Sequence, residues 1–137
     1  MPPNTLRTSV VVIGAASMDI KGRAAGPLIP GTSNHGQVRL SLGGVGRNVA
    51  ENLARLGVPT TLLAAVGDDA FGLEIVQRTA LAGVDTGHVL VLPGQRSATY
   101  AAILDDTGNM VVSVDDMHVC AALTPQLVRS HRALLRQ

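Results

Sequence analysis

The sequence predicts an α/β fold with a mainly parallel sheet and a small antiparallel sheet beside it. Short apolar runs, typical of strands buried on both faces, alternate with segments whose apolar residues recur at helical spacing. The chain has 137 residues, of which 46% are hydrophobic. That length and composition are sufficient for one domain with its own core.

The first predicted element is a buried strand over residues 9–13, which ends at Gly14. Residues 15–42 follow a different pattern, because polar residues and glycines surround short alternating pieces such as residues 37–42. Alternation is typical of a strand with one face in solvent. We therefore expect these pieces to lie outside the central sheet.

A helix is predicted next, beginning after a glycine-rich turn and ending at Gly57. Val45, Val49, Leu53 and Leu56 recur at helical spacing and form an apolar stripe, with charged residues on the other faces. The pattern is that of an amphipathic helix that packs through its apolar stripe.

Three more elements continue the alternation: a strand over residues 60–66, a helix over about residues 70–81 and a strand over residues 89–92. Asp68 or Asp69 can cap this second helix, and Gly83 ends it. Strands and helices at this spacing imply right-handed crossovers between parallel strands.

The alternation stops after residue 96. Residues 97–104 and 110–114 flank an Asp-Asp-Thr-Gly-Asn turn, which predicts an antiparallel hairpin that joins the pieces of residues 15–42 in a side sheet. A last helix begins at the cap Thr124 with Pro125 in its first turn, and places His131 and Leu134 on one face. Because such a unit should return to the sheet, we expect this chain to be the front portion of a larger architecture.

The composition excludes several classes of function. Net charge is +1, the ten arginines and the single lysine are scattered, and Phe71 and Tyr100 are the only Phe, Trp or Tyr residues. A base-stacking platform or a basic surface for nucleic acid or membrane is therefore not expected. Cys120 is the only cysteine and no apolar run approaches the length of a membrane span. We expect a cytoplasmic protein.

The most informative stretch is the run GGVGRNVA at residues 43–50, a glycine-rich turn that leads directly into a helix. Glycines leave room for a ligand against the backbone, and the first N–H groups of a helix have no partner within it. The run lacks the third small residue of a dinucleotide fingerprint and the Gly-Lys-Ser/Thr of a Walker loop. A small nucleotide-binding domain that holds phosphate here is an alternative that these absences disfavour.

With these motifs, the sequence resembles the N-terminal part of the PfkB (ribokinase-like) carbohydrate and nucleoside kinases. The glycine run, with Gly57 and Gly67 at the expected intervals, matches the first signature of that family. The runs VVIG at 11–14 and VGDDAFG at 66–72 also fit. The runs GGVGRNVAENLARLG, ATY and VDDM are most similar to those of pseudouridine kinases, although ribokinase, adenosine-type and fructokinase-like members share the same frame.

The resemblance implies a three-layer α/β/α ribokinase-like domain, with a small β-sheet lid over a sugar site. Residues 1–137 would be its N-terminal part, with lid pieces at about 15–42 and 97–115. It implies transfer of the ATP γ-phosphate to a hydroxyl of a small sugar or nucleoside, usually with Mg²⁺ and often with a monovalent cation. Family members often dimerise through the lid, so we expect a homodimer.

The resemblance also implies the substrate-binding residues. Asp19 matches the carboxylate that accepts hydrogen bonds from sugar hydroxyls. Gly43, Gly44 and Asn48 match the turn and helix start that hold further hydroxyls. Ser17 stands where the family more usually has Asn, but its hydroxyl can still donate and accept.

Tyr100 and its neighbours in the lid are candidate contacts to the base or anomeric substituent of the substrate. The Gly-Ala-Gly-Asp segment that carries the catalytic base of the family is absent, as are its Asn-x-x-Glu motif and its nucleotide-binding region. We therefore assign no catalytic residue and no metal to this chain. We expect it alone to bind sugar weakly at best, to hold no ATP or cation tightly and not to phosphorylate.

Each signal also has a purely structural explanation. Asp19 can be an edge-strand carboxylate, and Asn48 a first-turn residue without a ligand. The Asp pairs at 68–69, 105–106 and 115–116 are more simply caps and solvated turns than metal ligands. Two functional alternatives stay open: a non-catalytic sugar-binding or dimerisation module, and another kinase of this family such as ribokinase.

Overall fold

The structure is a computed structural model that describes residues 9–136; the other residues of the predicted domain, 1–8 and 137, lie outside the described range. Within that range the chain forms β1 (Val10–Ile13), β2 (Ser17–Ala24), β3 (Gly36–Gly43), α1 (Val45–Arg55), β4 (Thr60–Leu63), β5 (Ala65–Gly67), α2 (Ala70–Leu81), β6 (Leu90–Leu92), β7 (Ala98–Leu104), β8 (Met110–Asp116) and α3 (Pro125–Ser130). Two 3₁₀ turns follow β8 and α3, at His118–Ala122 and Leu134–Arg136. None of the helices in residues 9–136 is both long and apolar enough to cross a membrane.

The central sheet consists of two parallel pairs, β1 with β4 and β5 with β6. The predicted single strand over residues 60–66 is wrong in detail, because the chain changes partner at Ala64. The carbonyl of Ala64 accepts the N–H of Leu90 at 2.9 Å, so pairing passes from β1 to β6 at this residue. The central strands are parallel, as predicted.

Helices α1 and α2 cover one face of this sheet and enclose the main core. Its buried members are Ala16, Met18, Ala50, Leu62, Ala64, Val66, Ile75 and Val84. On the opposite face, Val119 of the first 3₁₀ turn packs against Ala65 and Ala98. The molecule therefore has three layers, and the predicted α/β class is confirmed.

The lid is a four-stranded sheet with the order β3-β2-β7-β8. Its outer pairs are antiparallel, but β2 and β7 run parallel, with Ser17 opposite Ala98 and Asp19 opposite Tyr100. The prediction of a purely antiparallel side sheet is therefore wrong, and the lid is a mixed sheet. The two central lid strands both leave the parallel sheet in the same direction, which makes them parallel to each other.

Helix α1 packs through a different face from the predicted one. Val45 and Leu56 of the apolar stripe are 79% and 80% exposed. The buried residues are Gly46, Arg47 and Ala50. The small residue Gly46 lets the helix backbone approach Gly14, after β1, closely.

The two later helices match their predicted starts. Helix α2 spans Ala70–Leu81, and Asp69 caps it by accepting the N–H of Gly72 at 2.8 Å. Thr124 caps α3 by accepting the N–H of Leu127 at 3.1 Å. However, α3 ends at Ser130, so His131 and Leu134 do not share one helical face as predicted.

Candidate functional site

The predicted site residues lie where four chain segments meet: the turn after β1, the start of β2, the end of β3 and the first turn of α1. Gly14 is the residue that follows β1, at the carboxyl end of a parallel strand. Ligands of open α/β sheets bind at the carboxyl ends of their strands. The position therefore suits a binding site before any side chain is considered.

Ser17 and Asp19 project from the same face of β2, because side chains alternate along a strand. The Ser17 hydroxyl is buried and donates to Asp19 Oδ1 at 3.1 Å. Lys21 Nζ lies 3.9 Å from the other carboxylate oxygen of Asp19. The carboxylate is thus oriented by a neutral donor and keeps lone pairs for further hydrogen bonds.

Gly43 lies directly against the Asp19 carboxylate. It is the last residue of β3, lies opposite Ser17 and is buried. A Cβ at this position would overlap the Asp19 carboxylate. The carboxylate therefore lies directly over the Gly43 backbone, and only glycine leaves room for it.

Gly44 begins α1 with φ 88° and ψ 125°, a left-handed conformation that favours glycine. A Cβ here would also collide with the carbonyl of Ala15. The N–H of Arg47 donates to that carbonyl at 3.0 Å, while no side chain caps the helix. In the described chain, no protein acceptor pairs with the N–H of Val45, which leaves this donor for a ligand, whereas Gly46 is buried against Gly14.

Asn48 lies one turn further and is exposed. Its Oδ1 accepts a hydrogen bond from Arg47 Nη1 at 3.0 Å. This amide keeps both hydrogens of Nδ2 and one lone pair of Oδ1, so it offers mainly donors to its surroundings.

Arg47 is buried and belongs to a charged network with Glu51 and Arg55. It forms an ion pair with Glu51, which also accepts from Arg55 Nη2 at 2.6 Å. Burial lowers the pKa of Arg47, although the charge of Glu51 opposes this shift. Burial alone would raise the pKa of Glu51, but the hydrogen bond from Arg55 and the charge of Arg47 outweigh it, so this pKa lies below its usual value. The carboxylate of Glu51 therefore joins two arginines of the same helix.

Tyr100 is beside Asp19 in the register of β2 and β7. Its hydroxyl donates to Met110 Sδ at 3.0 Å, toward the tip of the hairpin. The structure thus brings Ser17, Asp19 and Gly43 into contact. It places the backbone of Tyr100 next to them, but the Tyr100 hydroxyl bonds elsewhere.

Comparison with known proteins then identifies the family. The sequence profile of the pfkB family carbohydrate kinases matches residues 7–137. The chain belongs to this family.

Similar pfkB proteins and structures are known. A pseudouridine kinase of Escherichia coli (strain K12) is 38% identical over 128 residues, which are 93% of this chain and 41% of that protein. An uncharacterized sugar kinase of the same strain, YeiI, is 41% identical over 126 residues, which are 92% of this chain and 35% of that protein. The solved structure of a carbohydrate kinase from Agrobacterium tumefaciens is 31% identical with a TM-score of 0.81, and the match covers 93% of this chain and 42% of that one. The chain thus spans about two fifths of the length of the relatives it matches.

Kinases of the pfkB family use ATP, which implies a divalent metal. Within residues 9–136, no three His, Cys, Asp or Glu side chains lie together. No step is therefore derived through a metal or through ATP.

Sequence reasoning missed Ser97. Asp69 was predicted as a helix cap, which is confirmed, but it also accepts the Ser97 hydroxyl at 2.6 Å and the Ser97 N–H at 2.9 Å. Ser97 Oγ in turn accepts the N–H of Gly67 at 3.0 Å. Burial alone would raise the pKa of Asp69, but the hydrogen bonds from Ser97 and Gly72 outweigh it and lower this pKa. The Asp69–Ser97 pair fixes the base of β7, and so the lid, to α2.

Two concavities lie apart from the predicted site. One, of about 610 Å³, is at the far end of the lid, where Arg23, His35 and Asp106 line it. The other, of about 370 Å³, lies between α2 and β6, next to Asp69 and Val91. Neither shares a lining residue with the predicted site, so we base the site on the contacts of Asp19 rather than on a cavity.

Proposed function

We propose that this chain is the substrate-binding part of an ATP-dependent pfkB kinase that phosphorylates a hydroxyl of a sugar or nucleoside. One observation carries the proposal. The Asp19 carboxylate, oriented by Ser17, lies over the Gly43 backbone beside the open start of α1. An anionic acceptor is thus placed next to an uncapped backbone donor.

This pairing suits adjacent hydroxyl groups. One hydroxyl donates to the Asp19 carboxylate, and its neighbour accepts from the N–H of Val45, at the start of α1, or from Asn48 Nδ2. Each hydroxyl both donates and accepts, so a sugar diol can satisfy both sides of the site. In the proposed complex the chain binds and orients the sugar, and phosphoryl transfer requires groups beyond those described here.

Pseudouridine is the first candidate substrate. The support for it is the similarity to the Escherichia coli pseudouridine kinase together with the runs ATY and VDDM. Ribose is the main alternative substrate, because ribokinase shares the same arrangement of sequence motifs.

The test is a calorimetric or NMR titration of the chain with pseudouridine, uridine and ribose. We expect Asp19→Asn to weaken binding of the preferred ligand at least tenfold, because a charge-assisted acceptor becomes a neutral amide. Asp106→Asn is the matched control, since Asp106 is a carboxylate at the far end of the lid, beside Arg23 and apart from Asp19, and this variant should bind as the native chain does. Unchanged binding by Asp19→Asn would refute the proposed site.

A second measurement separates sugar from phosphate binding. Nucleotide binding that survives Asp19→Ala but is lost in Gly44→Val would favour a phosphate loop over the proposed sugar site. We also expect no turnover by the 137-residue chain with ATP, Mg²⁺ and pseudouridine. Measurable turnover would contradict the proposal that catalysis needs further sequence.

A specific observation favours a second role, dimerisation. One face of the lid is apolar and exposed, and its members are Val38, Leu40, Ile103, Val112 and Val114. Exposed apolar patches of this kind mark interaction surfaces. We propose that a second copy of this chain covers the apolar lid face.

A further inference from the structure

Arg47 is an unusual residue to find on the buried face of helix α1. It is charged, yet only 8% exposed. A buried guanidinium costs free energy unless its donors are paired. Here Nε donates to Thr79 Oγ1 at 3.2 Å, Nη1 donates to Asn48 Oδ1 at 3.0 Å, and Nη2 pairs with Glu51.

These three bonds define one orientation of the guanidinium. Thr79 is fully buried in α2, and Glu51 lies one turn along α1, so two edges of the planar group are held by different helices. The third edge, at Nη1, is then directed at Asn48. An amide has its acceptor and its donors at opposite ends, so Nδ2 of Asn48 points away from Arg47.

We propose that Arg47 is a positioning residue that makes Asn48 a hydrogen-bond donor toward the substrate. The ligand group that meets Nδ2 of Asn48 is then an acceptor oxygen. Without Arg47 the amide would rotate and offer either end, and the site would lose this selection. The inference rests on the proposed function, because it requires that Asn48 borders the substrate.

The first test needs no ligand. We would follow the Asn48 Nδ2 resonances of the ¹⁵N-labelled chain, assigned by their loss in Asn48→Asp. In the native chain they should report a restrained amide, and in Arg47→Met a freely rotating one. Arg55→Met is the matched control, because it removes the other arginine bound to Glu51 without a bond to Asn48. A restrained Asn48 amide in Arg47→Met would overturn the inference.

The second test uses pseudouridine and ribose. Arg47→Met should raise the dissociation constant of the preferred ligand about tenfold, and should have no further effect in an Asn48→Ala background. Equal weakening in both backgrounds would mean that Arg47 acts through the fold, which would overturn the inference. Arg55→Met should leave binding within about twofold of the native value.

Two further outcomes keep the tests decisive. If Arg47→Met does not fold, Arg47→Lys replaces it, because lysine keeps the charge but lacks the planar fork that reaches three partners. If neither ligand moves the Asp19 or Asn48 resonances of the native chain, the proposed function fails. The measurement on the free Asn48 amide then still decides whether Arg47 orients it.

Discussion

Gly43 shows how one missing side chain can shape a site. The Asp19 carboxylate occupies the space that a Cβ on Gly43 would take. Glycine is therefore needed here because the Asp19 carboxylate lies over it. The backbone of Gly43 is not left-handed, so its conformation alone does not require glycine.

We expect Gly43→Ala to abolish most ligand binding, because the added methyl group must push the Asp19 carboxylate away from its place beside Ser17. The dissociation constant for the preferred sugar should rise at least tenfold in a titration. Gly26→Ala is the control, since a Cβ at Gly26 meets nothing within 4 Å, and it should bind normally. Equal binding by the two variants would contradict the position of Asp19 over Gly43.

Asp69 makes a pH-dependent contribution to stability. Its pKa is lowered in the folded chain by the hydrogen bonds from Ser97 and Gly72. A lowered carboxyl pKa stabilises the folded state fully at pH values above the unfolded pKa of about 3.9. That contribution disappears as the pH falls through the lower, folded value.

The free energy of unfolding should therefore fall between about pH 5 and the folded pKa of Asp69, and part of this fall should be missing in Asp69→Asn. Urea denaturation at a series of pH values measures it. The exposed Asp115 of β8 supplies the control, since Asp115→Asn should keep the native acid dependence. An unchanged acid dependence in Asp69→Asn would show that its hydrogen bonds do not stabilise the fold.

At the scale of elements, the packing of α1 depends on small residues. The backbone of Gly46 lies against that of Gly14, and a Cβ on Gly46 would overlap it. Val45, by contrast, faces outward and is mostly exposed.

We expect Gly46→Ala to destabilise the chain, although alanine favours a helix by about 1 kcal/mol over glycine. The clash with Gly14 must displace α1, and the melting temperature should drop by roughly 4 °C or more. Val45→Gln, at an exposed position of the same helix, should melt within about 1 °C of the native chain. If Val45→Gln melted at a lower temperature than Gly46→Ala, the result would instead support packing of α1 through the apolar stripe that the periodicity predicts.

The elements also show where sequence reasoning reaches its limit. The bounds of α2 were predicted, because Asp69 caps its start and Gly83 follows its end, and both signals are local. The buried face of α1 was not predicted, because hydrophobic periodicity takes no account of contacts between glycines. The same limit applies to the break at Ala64, which follows from a change of partner strand rather than from its own neighbours.

The candidate site was predictable to a similar degree. Asp19, Gly43 and Gly44 were proposed from the family resemblance, and the structure adds that the Asp19 carboxylate lies against Gly43. Arg47 and Ser97 were missed as interior residues, because polar side chains are usually exposed. The spacing of Arg47, Glu51 and Arg55 at four-residue intervals was the available signal for the network.

For the whole molecule, the apolar lid face predicts self-association. We expect the native chain to sediment as a dimer and Val38→Glu/Val114→Lys to sediment as a monomer, because both residues are exposed on that face. Sedimentation velocity at several concentrations measures this. Val45→Glu, on α1 and outside the lid, should remain dimeric. A monomeric native chain at about 100 μM would refute the proposed interface.

The parallel pairing of β2 with β7 also has a kinetic consequence. Ser17 lies opposite Ala98, so the two central strands of the lid are separated in sequence by β3, by both helices α1 and α2, and by β4 to β6. Closing a loop of that length costs chain entropy before any contact compensates for it, and such long-range pairings form slowly. During synthesis, β2 therefore emerges long before β7, and the edge of β2 that pairs with β7 stays open until then. The candidate site at Asp19 gains its neighbouring strand only when β7 has been made.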